Sequence, residues 1–230
     1  MEGGPIPLTS RAVKVGILGG TGPAGKALAA RLASAGVDVI IGSRSRERAE
    51  EMCKELREKW PDRNLSLSGG ENTDAADADL VVVATPWDAA ATTAASVGQH
   101  LTDKVVISMA NALARLGKEF VPLVPGRGSI AAGVQAAVPG ARVAGAFHHL
   151  PAHSLADLHH TLESDVLICA DHPDAATATA ELVAKVPGLR PVQAGSLAAA
   201  APIEAFTAVL LQVNVHYKAR AAIRLTGLDI

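Results

Sequence analysis

An apolar segment followed at once by a glycine-rich turn constrains the fold of this chain more than any other part of the sequence. Residues 13–18 are typical of a buried strand, and Gly20, Gly22 and Gly25 then follow with the spacing G-x-G-x-x-G. In a strand–turn–helix unit with this spacing, the first glycine permits a sharp turn, the second lets the backbone approach a pyrophosphate, and the third lets the helix pack against the strand. The sequence therefore predicts a dinucleotide site with the pyrophosphate at a helix N-terminus.

The residues after the turn strengthen this interpretation, because the glycine spacing alone is weak. Pro23 suits the first turn of a helix, where its missing N–H is tolerated. Leu28 and Leu32 are four residues apart, as expected for the buried side of that helix. The alternative is a glycine turn in an ordinary strand–helix unit that binds nothing.

Further segments continue the alternation of strands and helices. We predict strands over residues 37–41, 80–84, 104–108, 141–147 and 165–170, with short extended pieces at 65–67 and 190–192. Helices are predicted over residues 46–59, 72–78, 129–138, 175–185 and 202–225. This order predicts an α/β fold: a Rossmann-type doubly wound parallel sheet with a smaller C-terminal α/β portion that ends in a long helix.

The length of 230 residues suits one large domain, or one domain with a small companion. We predict a flexible tail over residues 1–12, a dinucleotide-binding domain over 13–150 and a smaller C-terminal domain over 151–230. Residues 109–126 contain Pro122 and Pro125 and are predicted to form a long irregular loop, of a length that is usually functional.

Composition and charge argue against several classes of protein. The formal net charge is −2, which does not suit a nucleic-acid partner held by a broad basic surface. Cys53 and Cys169 lie far apart without metal or redox spacing, so we expect buried, reduced thiols in a cytoplasmic protein. The apolar stretch over residues 194–215 contains Pro202 and Glu204, which argues against a membrane span.

The residues after the second strand predict which dinucleotide binds. An NAD site usually has a carboxylate about 20 residues past the glycines, where it binds the ribose 2′-hydroxyl. This chain has Ser43, Arg44 and Arg48 there instead. Arginine binds phosphate through paired, charge-assisted hydrogen bonds, so these residues predict a 2′-phosphate and hence NADP. A solvated basic helix start, capped by Ser45, is the alternative.

Residues after a third strand are expected to border the same cofactor, since ligands bind beyond the carboxyl ends of strands in this fold. Thr85, Pro86 and Trp87 occupy that position. Trp87 either stacks on a ring or fills a gap at the start of a helix.

A histidine-rich segment, His148-His149-Leu150-Pro151, follows the strand over residues 141–147. His149 and His153 are four residues apart, but Pro151 between them argues against the helix that metal ligation at this spacing needs. No nearby carboxylate or cysteine completes a ligand set, so we predict no metal. Surface or capping histidines are one alternative. The favoured interpretation is a strand-end segment that lines the pocket for a second ligand.

Together these segments resemble the coenzyme F420-dependent NADP oxidoreductases, also called NADPH-dependent F420 reductases, and the resemblance extends over the whole chain. It is carried by Gly19-Gly20-Thr21-Gly22 with Gly25, Gly42-Ser43-Arg44 with Arg48, Thr85-Pro86-Trp87, Phe147-His148-His149-Leu150-Pro151-Ala152, and Gly188-Leu189-Arg190-Pro191 followed by Ala194-Gly195-Ser196-Leu197.

The resemblance implies a hydride passed directly between C5 of a deazaflavin and C4 of nicotinamide, with both rings stacked in one cleft. It implies that the pyrophosphate and nicotinamide lie at Thr21, Gly22, Pro23 and Ala24, that the 2′-phosphate lies at Ser43, Arg44 and Arg48, and that the two rings lie at His148, Leu150 and Pro151. A homodimer is also implied, and the apolar final helix suits one.

The chemistry of this reaction is compatible with the residues present. Hydride transfer between two bound cofactors needs proximity and ring alignment more than a general acid or base. A hydrogen-bond donor near the deazaflavin N1 and C2 carbonyl would stabilise charge as the ring is reduced, and His148 is the candidate catalytic residue.

Two other functions stay open on the sequence alone. An NADPH-dependent reductase of another small acceptor, such as a carbonyl, an imine or a ferric complex, would need a proton donor or a chelate pocket, which the histidines could supply. A non-catalytic NADP-binding sensor would bind NADPH without oxidising it.

Overall fold

The computed structural model describes residues 13–229, so the predicted tail over residues 1–12 lies outside the described residues. The strands are β1 (Lys14–Leu18), β2 (Asp38–Ser43), β3 (Leu67–Glu71), β4 (Leu80–Val83), β5 (Val105–Ser108), β6 (Leu113–Leu116), β7 (Glu119–Pro122), β8 (Arg142–Gly145), β9 (Ser164–Ala170) and β10 (Leu189–Gly195). The α-helices are α1 (Pro23–Ser34), α2 (Arg46–Lys59), α3 (Asn72–Ala76), α4 (Ala90–Ser96), α5 (Ile130–Ala137), α6 (Ala152–Leu155), α7 (Pro173–Ala184) and α8 (Ala200–Tyr217).

The main sheet has eight strands in the order β10-β9-β8-β5-β4-β1-β2-β3. From β3 to β8 every neighbouring pair is parallel, which is the doubly wound order of a Rossmann fold. β9 then pairs antiparallel with β8, and β10 pairs parallel with β9. The predicted fold class is confirmed. The domain boundary at residue 150 stays a prediction, since β9 and β10 extend the same sheet.

Helices bury both faces of this sheet, which explains why its central strands are continuously apolar. All four residues of β4 are buried. On one face, Leu28 of α1 and Leu182 of α7 belong to the same buried cluster. On the other, Val134 of α5 and Ile203 of α8 belong to a second cluster. Ser45 caps α2 as predicted, because its side chain accepts a hydrogen bond from the N–H of Arg48.

The segment over residues 109–126 is not the irregular loop that we predicted. Leu113 pairs with Pro122 and Leu116 with Glu119, so β6 and β7 form a hairpin around a two-residue turn in which Gly117 has φ 62°. Pro122 is tolerated because it ends a strand of a separate two-stranded sheet, where its missing N–H breaks no central ladder.

Several element boundaries also differ from prediction, and two of these differences have a clear physical cause. β3 begins at Leu67 and includes Gly69, where a Cβ would come within 2.4 Å of the backbone nitrogen of Glu50, so this strand uses glycine to let α2 approach. The final helix does not reach residue 225: α8 ends at Tyr217, and Lys218 adopts the left-handed conformation with φ 50°.

After Lys218 the chain folds back against the start of β9, where Asp165 is fully buried. Its carboxylate accepts two hydrogen bonds from Arg190, at 2.7 and 2.8 Å, and further ones from the Arg224 side chain and the Leu225 N–H. Arg190 first, and then the Leu225 N–H and Arg224, hold the pKa of Asp165 well below its usual range. Residues 218–225 therefore do not continue the helix as predicted, because the Asp165 carboxylate binds Arg224 and Leu225 and holds them against β9.

Two glycine-to-alanine substitutions should have opposite effects on stability. In Gly16→Ala the new Cβ would lie 1.8 Å from the carbonyl oxygen of Ala75, so we expect a loss of at least about 3 kcal/mol in the free energy of unfolding. Gly133→Ala places a Cβ in open space within α5 and should add about 0.5–1 kcal/mol. Urea unfolding of both variants measures this, and equal effects would contradict the described packing of β1 on α3.

Candidate functional site

Four neighbouring strands end at the same level of the sheet, and this row positions the site. Leu18 pairs with Val83, Val83 with Ser108, and Ser108 with Gly145. The segments that follow β1, β4, β5 and β8 therefore leave the sheet side by side. The structure thus brings the predicted residues of the glycine turn, of residues 85–87 and of residues 148–151 to one edge.

The glycine turn after β1 is fixed by hydrogen bonds from both sides. Gly19, directly before the first glycine of the motif, adopts the left-handed backbone, with φ 67°. The N–H of Gly19 donates to Oδ1 of Asn72 at 3.2 Å, and the N–H of Gly20 donates to the Gly42 carbonyl at 2.9 Å. The Gly22 N–H donates to the Gly19 carbonyl at 3.1 Å, which closes the turn.

The space around each glycine shows which positions serve packing and which leave room for a ligand. A Cβ on Gly25 would lie 2.8 Å from Cα of Gly20, so this glycine brings α1 against the turn. A Cβ on Gly22 would meet nothing closer than 3.4 Å, so protein packing does not require glycine there. Gly22 is the N-cap of α1 and offers no capping side chain, and Thr21, Pro23 and Ala24 beside it are only partly buried or exposed. This helix N-terminus is suited to an anion.

Three arginines follow β2, and they have different surroundings. Arg46 donates to Oδ2 of Asp74 at 2.7 Å, so its charge is already paired. Arg44 and Arg48 are exposed, and neither forms an ion pair within residues 13–229. Ser43 is buried, and its hydroxyl accepts a hydrogen bond from the Ser45 N–H. The two arginines predicted to take a 2′-phosphate are therefore the ones whose charge remains unpaired.

The residues after β4 lie against the glycine turn. A Cβ on Gly19 would come within 2.4 Å of Cγ2 of Thr85, which shows how closely Thr85 packs there. The hydroxyl of Thr85 is buried without a hydrogen-bond partner among the described residues. Pro86 is exposed, and Trp87 is 39% exposed, so its ring stands at the surface instead of filling a core gap.

The residues after β8 form a tight turn with a strained backbone. Phe147 is fully buried, yet its φ is 62°, a conformation that bulky residues rarely adopt. The Leu150 N–H donates to the Phe147 carbonyl at 3.0 Å. His148 and His149 are both buried, with ring centroids 5.5 Å apart, whereas Pro151 is only partly buried.

Both histidine rings of this turn are neutral at physiological pH. Burial, and then the charge of His149, lower the pKa of His148 to about 3, and burial lowers the pKa of His149 to about 4. Nε2 of His149 accepts a hydrogen bond from the Leu167 N–H at 3.0 Å, so this ring also holds β9. Nε2 of His148 is buried and has no partner within the part of the chain that the structure describes.

Three residues that the sequence analysis did not single out hold this site together. Asn72 binds the glycine turn, and Asn111 donates to the His148 carbonyl at 2.6 Å. Arg31 of α1 is buried and donates to four backbone carbonyls of the segment after Pro151, those of Ser154, Leu155, Asp157 and His160. These contacts join residues at least 37 positions apart, so no local signal in the sequence could have predicted them.

The structure also bears on metal binding and on membrane insertion. Over residues 13–229 there is no group of three or more histidine, cysteine, aspartate or glutamate side chains placed to hold a metal ion.

One helical stretch, Leu197–Tyr217, is long and apolar enough to cross a membrane by length and composition alone. The same length and composition occur in helices that pack inside soluble proteins.

The fold and the glycine turn at this edge of the sheet define a Rossmann-type dinucleotide-binding protein. Residues 14–112 match the family described as NADP oxidoreductase, coenzyme F420-dependent. The chain is 35% identical over 222 residues to an F420-dependent NADP reductase of Methanothermobacter thermautotrophicus, covering 94% of this chain and 96% of that protein. A second F420-dependent NADP reductase, from Methanocaldococcus jannaschii, is 34% identical over 95% of this chain and 100% of its own length. This chain belongs to the F420-dependent NADP reductase family.

A solved structure with a similar fold is described as a putative F420-dependent NADP reductase from Arthrobacter sp. FB24. It superposes with a TM-score of 0.77 over 93% of this chain and all of that chain, at 21% identity. A hypothetical protein from Sinorhizobium meliloti superposes with a TM-score of 0.67 at 29% identity, over 86% of this chain and 92% of that one. The predicted family is therefore confirmed by sequence, and the fold by structure.

The buried histidine pair should make stability depend on pH between about 7 and 5. In the unfolded chain a histidine binds a proton with a pKa near 6.5, whereas the folded rings, with pKa values of about 3 and 4, stay neutral. The unfolded state therefore binds more protons than the folded state as the pH falls. For each ring, the free energy of unfolding decreases by up to about 1.4 kcal/mol per pH unit.

Urea unfolding at a series of pH values between 7 and 5 measures this slope. His149→Asn removes one of the two titrating groups while leaving a side-chain oxygen that can accept the Leu167 N–H. Its slope should be smaller than that of the wild type. An unchanged slope would show that His149 is protonated in the folded protein.

Proposed function

We propose that this protein transfers a hydride between NADP(H) and the deazaflavin coenzyme F420. The observation that carries this proposal is membership, over nearly the whole chain, of a family of F420-dependent NADP reductases. The site is compatible with it, because the reaction needs two rings held in contact in one cleft and no general acid or base. The relatives give no support to a reductase of another small acceptor or to a non-catalytic sensor.

The proposed NADP site begins at the glycine turn and extends to the end of β2. The pyrophosphate would bind at the open N-terminus of α1, beside Gly20, Thr21, Gly22, Pro23 and Ala24. The 2′-phosphate would bind at Ser43, Arg44 and Arg48, since both guanidinium groups are exposed and unpaired in the described chain. Arg46 is not part of this site, because Asp74 neutralises it.

The nicotinamide and deazaflavin rings would meet where β4, β5 and β8 end. The proposed contacts are Thr85, Pro86, Trp87, His148, His149, Leu150 and Pro151. His148 is the proposed residue that stabilises charge on the reduced deazaflavin. Because its pKa is about 3, it would do so as a neutral hydrogen-bonding ring and not as a cation. His149 would contribute mainly through its backbone, since Nε2 of its ring already binds the Leu167 N–H.

We also propose a homodimer in the cytoplasm. Among the described residues, exposed apolar side chains share one face of α8 and form an apolar surface there: Phe206, Val209 and Tyr217. A second copy would cover this surface in water, and lipid is not required. Burial raises the pKa of the Cys169 thiol to about 11, which agrees with unreactive, reduced cysteines in a reducing compartment. Sedimentation at micromolar concentration should give a dimer, and a monomer would contradict this assignment.

Anaerobic mixing of the protein with NADPH and oxidised coenzyme F420 tests the reaction directly. We expect rapid loss of the deazaflavin absorbance with NADPH and a much slower loss with NADH, because only NADPH carries the 2′-phosphate that Arg44 and Arg48 would bind. Tight NADPH binding without any loss of deazaflavin absorbance would contradict the proposed activity and leave only a dinucleotide-binding protein.

Two arginine variants supply a matched control for this assay. Arg44→Ala should raise KM for NADPH about tenfold or more and leave the slow reaction with NADH unchanged, since one phosphate contact is lost. Arg46→Ala removes the same charge two residues away, but at a side chain already paired with Asp74, and should change KM for NADPH less than threefold. Equal effects of the two substitutions would show that overall charge, and not a phosphate contact, sets the preference.

A further inference from the structure

We propose that Asn111 is the positioning residue for the second ligand, because it fixes the peptide that follows the strained Phe147. This inference rests on the proposed function and adds to it a residue outside the glycine turn and the histidine segment. Asn111 follows β5 by three residues, and β5 lies next to β8 in the sheet. Its side chain therefore lies where the end of one strand can act on the turn after the other.

The turn after β8 needs an outside restraint. A bulky residue with φ of 62°, such as Phe147, is strained and persists only where its surroundings determine the conformation. The Phe147 ring is fixed by complete burial, and its carbonyl by the Leu150 N–H. Neither contact anchors His148 itself, whose ring and carbonyl would shift together if the backbone at Phe147 relaxed.

Asn111 supplies that restraint directly. Its Nδ2 donates to the carbonyl oxygen of His148 at 2.6 Å, which is short for an amide donor. Its Oδ1 accepts from the hydroxyl of Thr207 at 3.3 Å, and this hydroxyl lies 3.4 Å from the same His148 carbonyl. The Thr207 contacts are long, so the amide group of Asn111 carries most of the restraint.

The group that this restraint aims has no other partner. Nε2 of His148 is buried and unpaired among the described residues, although burying a polar atom without a hydrogen bond is costly. Such an atom at the end of β8 is suited to a ligand group that enters the cleft. If the backbone at Phe147 relaxed to a less strained conformation, His148 would shift and its ring would move with it. A displacement of about 1 Å can lower a rate about a hundredfold.

Asn111 should not affect the dinucleotide in the same way. The glycine turn has its own restraints, from Asn72 and from the Gly42 carbonyl, and Asn111 bonds to neither. Loss of the Asn111 amide should therefore weaken the binding and reaction of coenzyme F420 and leave NADPH binding unchanged. A residue that only filled space would not separate the two ligands in this way.

The test uses the full-length protein with Asn111→Asp and Asn111→Ala. Aspartate has nearly the same shape as asparagine but, when ionised, cannot donate a hydrogen bond to a carbonyl. We expect kcat/KM for coenzyme F420 to fall at least tenfold in both variants at pH 7, while the NADPH dissociation constant stays within twofold of the wild type. Asn214→Asp makes the same change at an asparagine that holds residue 221 instead, and should leave kcat/KM for coenzyme F420 within twofold.

A pH profile between 7 and 5 separates positioning from general loss of structure. In Asn111→Asp the introduced carboxyl group becomes a donor once it is protonated, so kcat/KM for coenzyme F420, relative to the wild type, should rise as the pH falls. Asn111→Ala should show no such rise. Values within twofold of the wild type in both Asn111 variants would overturn the inference, and so would a parallel loss of NADPH binding. A wild-type protein that binds NADPH but does not reduce coenzyme F420 would instead overturn the proposed function on which the inference rests.

Discussion

The close packing of the glycine turn against its neighbours is the constraint on which the site depends. Gly25 brings α1 to the turn because a Cβ there would lie 2.8 Å from Cα of Gly20, and Thr85 packs against Gly19 from the end of β4. These contacts leave room beside Gly22 and an uncapped helix N-terminus above it. The same contacts set the turn beside the ends of β4, β5 and β8, the edge at which the two rings are proposed to meet.

Local features of the sequence were sufficient to predict most of the fold. The buried strands are continuous apolar runs, and the caps and prolines at helix ends mark boundaries such as Ser45 before α2. The hairpin of β6 and β7 is a local pairing that the prolines of this segment concealed, whereas the other errors occurred where a more distant contact overrides local preference. Residues 218–225 were predicted to continue the final helix. Instead, the buried carboxylate of Asp165 accepts hydrogen bonds from Arg224 and the Leu225 N–H and holds this segment against β9. Gly69 weakens the strand signal of β3, although α2 can approach only because it is glycine.

The candidate site could be predicted in the same uneven way. Gly20, Ser43, Arg44 and Arg48 stand in motifs of fixed spacing, so the sequence alone was sufficient to propose them for the site. Arg46 differs from Arg44 because it is paired with Asp74, which lies 28 residues beyond it in the chain. Asn72 and Asn111 act through side-chain hydrogen bonds across the sheet, and asparagine at a strand end has many other uses in proteins. Their roles follow only from the tertiary structure.

The reversal of direction between β8 and β9 limits how the C-terminal part of the chain can contribute to the cleft. Because β9 and β10 run opposite to the other strands, their carboxyl ends point to the far edge of the sheet. Insertions in the connections after β9 or β10 would therefore enlarge the surface remote from the edge where β8 ends. In this part of the chain, the connection over residues 146–163, the segment that folds back after Lys218 and side chains of α8 such as Thr207 lie at the edge where β8 ends. Within this architecture, the C-terminal part of the chain adds to that edge from these places, beside the segments that follow β4 and β5.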